Sequence, residues 1–216
     1  MRLFDKLFGK KQTENKVQSS FIADILTDTE KQFCKSAKLS EQDGLLLKKL
    51  TQRPINLLKF EQEFSEVKKP DAISSLTSED NAKNIVLDNL DYFKKQGKYI
   101  FIFGLGDGGY IVGLTGATSD PYQLMEYAET NGINYDIETK DIIEKYKKWD
   151  SEFGIIPIGI GFDYCEAQIK NTNIDYKKLA QEIYEFCPDI VDQGTQTVEV
   201  LTEEIKRTRT IYLWWD

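Results

Sequence analysis

The chain contains no histidine. That absence removes Ser-His and Cys-His nucleophile pairs, imidazole acid–base work and histidine zinc sites. Any reaction would have to run on carboxylates, lysine, tyrosine or cysteine. Cysteine is scarce as well. Cys34, Cys165 and Cys187 are odd in number and far apart, with no Cys-x-x-Cys spacing for a zinc site or a redox pair. They read as free, buried thiols in a reducing cytoplasm. No apolar run reaches the roughly 18 residues of a membrane span. Positive charge is in the minority: 28 Lys and Arg stand against 36 Asp and Glu, a net charge of −8. This argues against a nucleic-acid binder that relies on bulk positive charge, and suits a chain that meets a basic partner.

The first residues, Met1 to Lys11, lack the continuous apolar stretch of a signal peptide. Leu3, Phe4, Leu7 and Phe8 recur at helical spacing among Arg2, Lys6, Lys10 and Lys11. A loose basic tail or a small helix docked on the body is the expectation. Contact with anionic lipid is the sharper alternative. Gln12 to Ser20 is polar and reads as a linker.

Three segments follow from composition and periodicity: a tail and linker over residues 1–20, a mostly helical region over 21–96, and an α+β domain over 97–216. Ile55 to Phe60 is a candidate short strand within the helical region. The spacing of Val86, Leu90 and Phe93 predicts a helix from about Glu79 to Gln96, opened by Ser78 and closed by Gly97. Tyr99–Phe103 and Tyr110–Leu114 read as a β-hairpin. Asp120-Pro121 opens a short helix. Asn131 to Ile137 reads as a loop. A helix from about Lys140 to Phe153 carries the stripe Ile142, Ile143, Tyr146, Trp149 and Phe153. Two strands follow, Ile155–Phe162 and Tyr164–Ile169, with Pro157 pushing the first towards an edge or a bulge. Asp175 caps a further helix that Pro188 stops. A last helix carries Val198, Leu201 and Ile205, and Ile211–Trp215 is a closing strand. The fold class is α+β: an antiparallel sheet with helices packed on one face, with ferredoxin-like split βαβ elements, plus the mostly helical N-terminal extension.

Gly104, Gly106 and Gly109 spell G-x-G-x-x-G directly after a strand. A dinucleotide site needs a helix N-terminus behind that string, and Tyr110-Ile111-Val112 is strand-like instead. The glycines therefore read as a hairpin turn. No Lys-Ser or Lys-Thr follows to make a P-loop, and no cofactor is expected. The acidic residues Asp136, Asp163, Glu166, Asp189, Asp192 and Asp216 fall in or near loops of the second half. Converging carboxylates bind hard cations or act as acid and base. Local capping of turns is the more common use of Asp and is the expectation here; the spacing matches no EF-hand, and no metal ligand set is assigned. Cys187, at a helix C-terminus with no histidine to activate it, is expected to be packed rather than reactive. Alternation places Trp214 and Trp215 on opposite sheet faces, the outward ring being the better candidate for a binding surface.

The strings Thr130-Asn131-Gly132-Ile133-Asn134-Tyr135-Asp136, Lys148-Trp149-Asp150, Gly161-Phe162-Asp163, Tyr184 to Thr195 and Tyr212 to Asp216 resemble the bacterial domain of unknown function 4253, over roughly Tyr122 to Asp216. Gln196 departs from the resemblance, which implies a glycine there. The resemblance implies a compact α+β domain and carries over no activity. No catalytic residue is assigned. The leading expectation is a cytoplasmic, non-enzymatic protein that binds another macromolecule, in the manner of an antagonist of a toxin or nuclease. The alternative is an enzyme or a small-ligand or metal-binding domain with a carboxylate-rich cleft near Asp189 and Asp192. Either way the candidate ligand-binding residues are Asn134, Tyr135, Asp136, Asp163, Asp189, Asp192, Gln193 and Trp215.

Overall fold

The computed structural model describes residues 24–60, 69–106 and 109–215. The basic start Met1 to Lys11, the linker after it and Asp216 lie outside the described residues. The described residues form a mixed α/β fold, with seven strands that are mostly antiparallel and an N-terminal region that is chiefly helical. Among the described residues no helix is long and apolar enough to cross a membrane. The chain divides into two compact units. Of the described residues, the first unit holds 24–130 and 158–162, and the second holds 131–157 and 163–215.

In the first unit, helices α1 (Asp28–Ser36) and α2 (Glu41–Thr51) each begin with a capping box. Thr27 and Glu30 close the first, Ser40 and Asp43 the second, so the opening amides of both helices find side-chain acceptors. Two further ties come from the same acids. Glu30 meets Lys48 at 2.7 Å, with both side chains only 6% exposed. Asp43 takes both oxygens to Lys98 Nζ, at 2.7 and 2.8 Å. The Cys34 thiol lies between these helices, and burial first, then the charges of Asp43, Glu41 and Glu30, push it up to about 11.

Strands β1 (Asn56–Lys59), β2 (Asp71–Thr77), β3 (Tyr99–Gly106) and β4 (Gly109–Thr115) follow, with α3 (Glu79–Lys94) between β2 and β3. The order is β1-β2-β4-β3, antiparallel throughout. Val86, Leu90 and Phe93 of α3 are buried, as their spacing predicts. Strand β2 escapes sequence reading because Asp71-Ala72-Ile73-Ser74-Ser75-Leu76-Thr77 has no two-residue apolar rhythm. Ser74 and Ser75 are buried within it, and the Ser75 hydroxyl lies 2.8 Å from that of Thr51 and donates to the Pro54 carbonyl at 2.9 Å.

The glycine-rich string turns the β3–β4 hairpin, with no helix behind it. Gly109 has φ +152°, and a Cβ there would run into the Thr77 carbonyl oxygen. Helix α4 (Pro121–Ala128) opens on the Asp120 cap. Strand β5 (Ile155–Ile160) pairs in parallel with β3 through Ile102 and Gly159. The Pro157 expectation needs correction here. Every residue of β5 is buried, Pro157 included, so the strand is not a solvent-facing edge. An almost wholly apolar run outweighs the single missing N–H.

The second unit is built on α5 (Thr139–Phe153), α6 (Tyr176–Phe186) and α7 (Val198–Thr208), with strands β6 (Tyr164–Ile169) and β7 (Thr210–Trp214). The predicted stripe of α5 is buried from Ile142 to Phe153, and Trp149 is completely enclosed. Trp149 Nε1–H donates to Glu182 on α6 at 3.1 Å. Lys148 adds a second bond to that carboxylate at 3.0 Å. Lys145 lies 5.4 Å from the ring centroids of both Trp149 and Phe186. The closing strand is paired as expected. Strand β7 runs antiparallel to β6 with Cys165 opposite Leu213, and the ladder continues one residue further, where Trp215 N–H donates to the Asp163 carbonyl at 3.1 Å.

Candidate functional site

Apart from Asp163, which lies between β5 and β6, the candidate residues of the second unit sit on or beside three pieces of backbone. The first is the segment Gly132–Ile137, which closes on itself. Gly132 N–H donates to the Ile137 carbonyl at 2.9 Å, and Ile137 N–H returns the bond at 3.2 Å. Inside this loop Ile133–Tyr135 makes one 3-10 turn, and Asp136 follows in the left-handed region at φ +54°. Asn134, Tyr135 and Asp136 are all exposed there.

The second piece is a six-residue π-helix, Ile190–Thr195. Pro188 cannot continue α6, because its ring lacks the N–H and crowds the preceding turn. Its carbonyl instead accepts from both Val191 and Asp192 at 2.9 Å, and Gln196 N–H reaches back five residues to Val191 at 2.6 Å. Such turns are rare and gather at functional positions. Ile190, Val191, Gly194 and Thr195 face inward, while Asp192 and Gln193 face water. The third piece is the end of β7.

Three candidates meet in one knot. The buried Asp189 carboxylate accepts from Tyr135 Oη at 2.5 Å and from Gln193 Nε2 at 2.9 Å, both on Oδ1. The hydrogen bond to Asp189, followed by burial and neighbouring negative charge, raises the Tyr135 phenol to about 12. Tyr135 therefore stays a donor at neutral pH and is no base there. Asp192 makes a separate contact, accepting from Tyr184 Oη at 3.2 Å and raising that phenol too. Asp163 is exposed and meets Trp215 through its backbone carbonyl.

Trp215 is the inward ring of the tryptophan pair, 4% exposed, while Trp214 is half-buried. The indole stands at right angles to Phe186, centroids 6.0 Å apart. Its other side lies against Gly132, where a Cβ would come within 2.7 Å of the pyrrole carbons. This close approach fixes glycine at the base of the Gly132–Ile137 loop. The Trp215 Nε1–H has no acceptor among the described residues. Cys187 also packs as expected: its thiol donates to the Trp214 carbonyl at 3.0 Å, and burial pushes it up to about 12. Among the described residues no group of three or more Cys, Asp or Glu is placed to hold a metal ion.

Residues 112–216 match the family model for Domain of unknown function (DUF4253). The DUF4253 match starts within β4, earlier than the resemblance at Tyr122, and takes in the whole described second unit. No curated protein and no solved structure matches the chain. The departure at Gln196 gains a physical meaning from the backbone. Gln196 closes the π-helix at φ +70°, in the left-handed region where glycine is free of strain and other residues pay about 1–2 kcal/mol. Gln196→Gly is therefore expected to raise stability by about 0.5–1 kcal/mol, since the more flexible unfolded chain offsets part of the relief. Urea unfolding reads this directly. A midpoint at or below that of the wild type would refute it.

One surface residue was missed in the sequence. Ile133, at the head of the exposed turn, is 78% exposed. Its signal was an apolar side chain inside an otherwise polar loop.

Proposed function

We propose that this chain is a non-enzymatic protein that binds a basic macromolecule and acts by occupying it, as an antagonist of a toxin or nuclease does. The observation that carries the reading is the use to which Asp189 is put. A buried carboxylate at the centre of the candidate residues holds the exposed Tyr135 turn in place through a 2.5 Å bond, with Gln193 as its second donor. Preorganising an exposed turn in this way lowers the ordering cost of association. Tyrosine is also among the side chains that dominate interface energies. Exposed Asp136, Glu138 and Asp192 flank the turn with negative charge, and the whole chain carries −8. Such a surface steers a basic partner and rejects acidic ones.

The test is capture of partners on the immobilised full chain at low ionic strength, from cells that express it. The expected result is a basic protein that is released by raised salt. It should be retained poorly by the double charge reversal Asp136→Lys, Asp192→Lys. Both positions are exposed, and circular dichroism checks that the variant keeps its fold. Recovery of nothing beyond bare resin would overturn the reading.

A further inference from the structure

The Gly132–Ile137 loop displays one side chain more openly than any other large apolar group described. Ile133 is 78% exposed, ahead of Ile25 at 66%, Tyr92 at 54% and Val200 at 53%. A scattered exposed isoleucine needs no explanation, but this one is mounted on a frame held by several hydrogen bonds. Its N–H donates to the Asn131 side chain at 3.2 Å, and its carbonyl accepts from Asp136 N–H at 3.3 Å. The loop neck is closed by the Gly132–Ile137 pair, and its base lies close against Trp215. Tyr135, two residues on, is fastened to Asp189. The side chain itself is β-branched and stiff about its first torsion. Around it the sequence is acidic: Asp136, Glu138, Asp141 and Glu144 stand against Lys140, which is already bridged to Glu138 at 2.7 Å.

We propose that Ile133 is the knob of a preformed docking loop, made to enter an aliphatic pocket rimmed by Lys or Arg on a partner protein. The proposal rests on the binding reading above and goes further by naming the anchor residue and the shape and charge of what receives it. A rigid frame avoids the entropy that a floppy loop loses on docking, so the gain from burying the anchor appears as affinity. The acidic flank supplies the complementary rim, which governs approach and register.

The experiment places a photo-crosslinking phenylalanine analogue at position 133 and, in a second full-length variant, at Val200, which is exposed and apolar on α7 of the same unit. Both are irradiated in cells that express the protein. The expected result is an adduct through position 133 to a protein whose labelled residue lies in an aliphatic pocket beside Lys or Arg. The purified partner should then bind Ile133→Asp on the order of 100-fold more weakly, and Asp136→Lys about 10-fold more weakly. Ile133→Val should bind almost as the wild type does. An adduct through Val200 alone would overturn the knob and leave the binding reading standing. So would a labelled partner whose affinity ignores Ile133→Asp. An adduct with lipid or with a second copy of the chain would likewise overturn it. No adduct at either position, together with no captured partner, would overturn both.

Discussion

Replacing Lys48 by methionine is expected to cost the first unit about 3–5 kcal/mol of stability. Removing one member of an enclosed ion pair leaves the other charged and poorly solvated, and that residual penalty is larger than the net worth of the pair. Glu30 and Lys48 fit this case, each side chain being 6% exposed. Lys48 also donates to the Ile25 carbonyl at 2.9 Å, so the variant abandons that acceptor too. Burial alone would raise the Glu30 carboxyl. The Lys48 hydrogen bond and the amides of Thr27 and Ile55 more than offset this, and the group ends below the ordinary glutamate range. A depressed carboxyl stabilises the folded chain above its unfolded pKa and loses that contribution as pH falls through the folded value. The gap between wild type and Lys48→Met should therefore be full at neutral pH and narrow in acid. Urea unfolding followed by circular dichroism at a series of pH values measures both parts. Adding Glu30→Gln to Lys48→Met should recover some of the loss, because the stranded charge is gone. A neutral-pH loss under about 1 kcal/mol would mean the pair behaves as a solvated surface bridge, and the account would fail.

Trp215→Ala is expected to destabilise the second unit by a similar amount, about 3–5 kcal/mol, the usual range for emptying a large aromatic site in a core. The ring fills the space between Phe186 and the base of the Gly132 loop. Gly132→Ala should cost about 1–3 kcal/mol by overpacking, since the added methyl meets the indole. The two effects cannot add. With the ring gone, the methyl at position 132 has room, so the double variant should be clearly more stable than the sum of its parts implies. Trp215→Phe should cost much less than alanine, because it keeps most of the packing and removes a buried N–H that has no acceptor. Strict additivity in the cycle would separate Gly132 from Trp215 and remove the stated reason for that glycine.

Much of the fold could be read from the chain because local signals agreed with one another. The stripe of α5, the Asp120 and Asp175 caps and the β3–β4 glycines each mark an element that the structure contains. Strand β2 was hidden because two of its buried positions are serines, Ser75 held by hydrogen bonds rather than apolar contacts, which leaves no rhythm to detect. The π-helix was hidden for a different reason. Pro188 announces the end of α6, but nothing local announces that its carbonyl will take two amides and restart a wider turn. At the site, residue type pointed to Tyr135, Asp189 and Gln193, which do share one hydrogen-bond knot. For the tryptophan pair, alternation says that two neighbours face opposite ways without saying which is inside, and Trp215 is the buried one. Residue type failed for Ile133 because an apolar letter in a loop does not disclose whether it is tucked away or displayed.

The three thiols have a practical consequence. Cys34 belongs to one unit, Cys165 and Cys187 to the other, and all are enclosed. With Cys34 near 11 and Cys187 near 12, almost none of either is thiolate at neutral pH, so alkylating reagents find little to attack until the backbone parts. Pulse alkylation read by mass spectrometry thus reports separately on opening around Cys34 and around Cys165 and Cys187 in a single molecule, with no engineered probe.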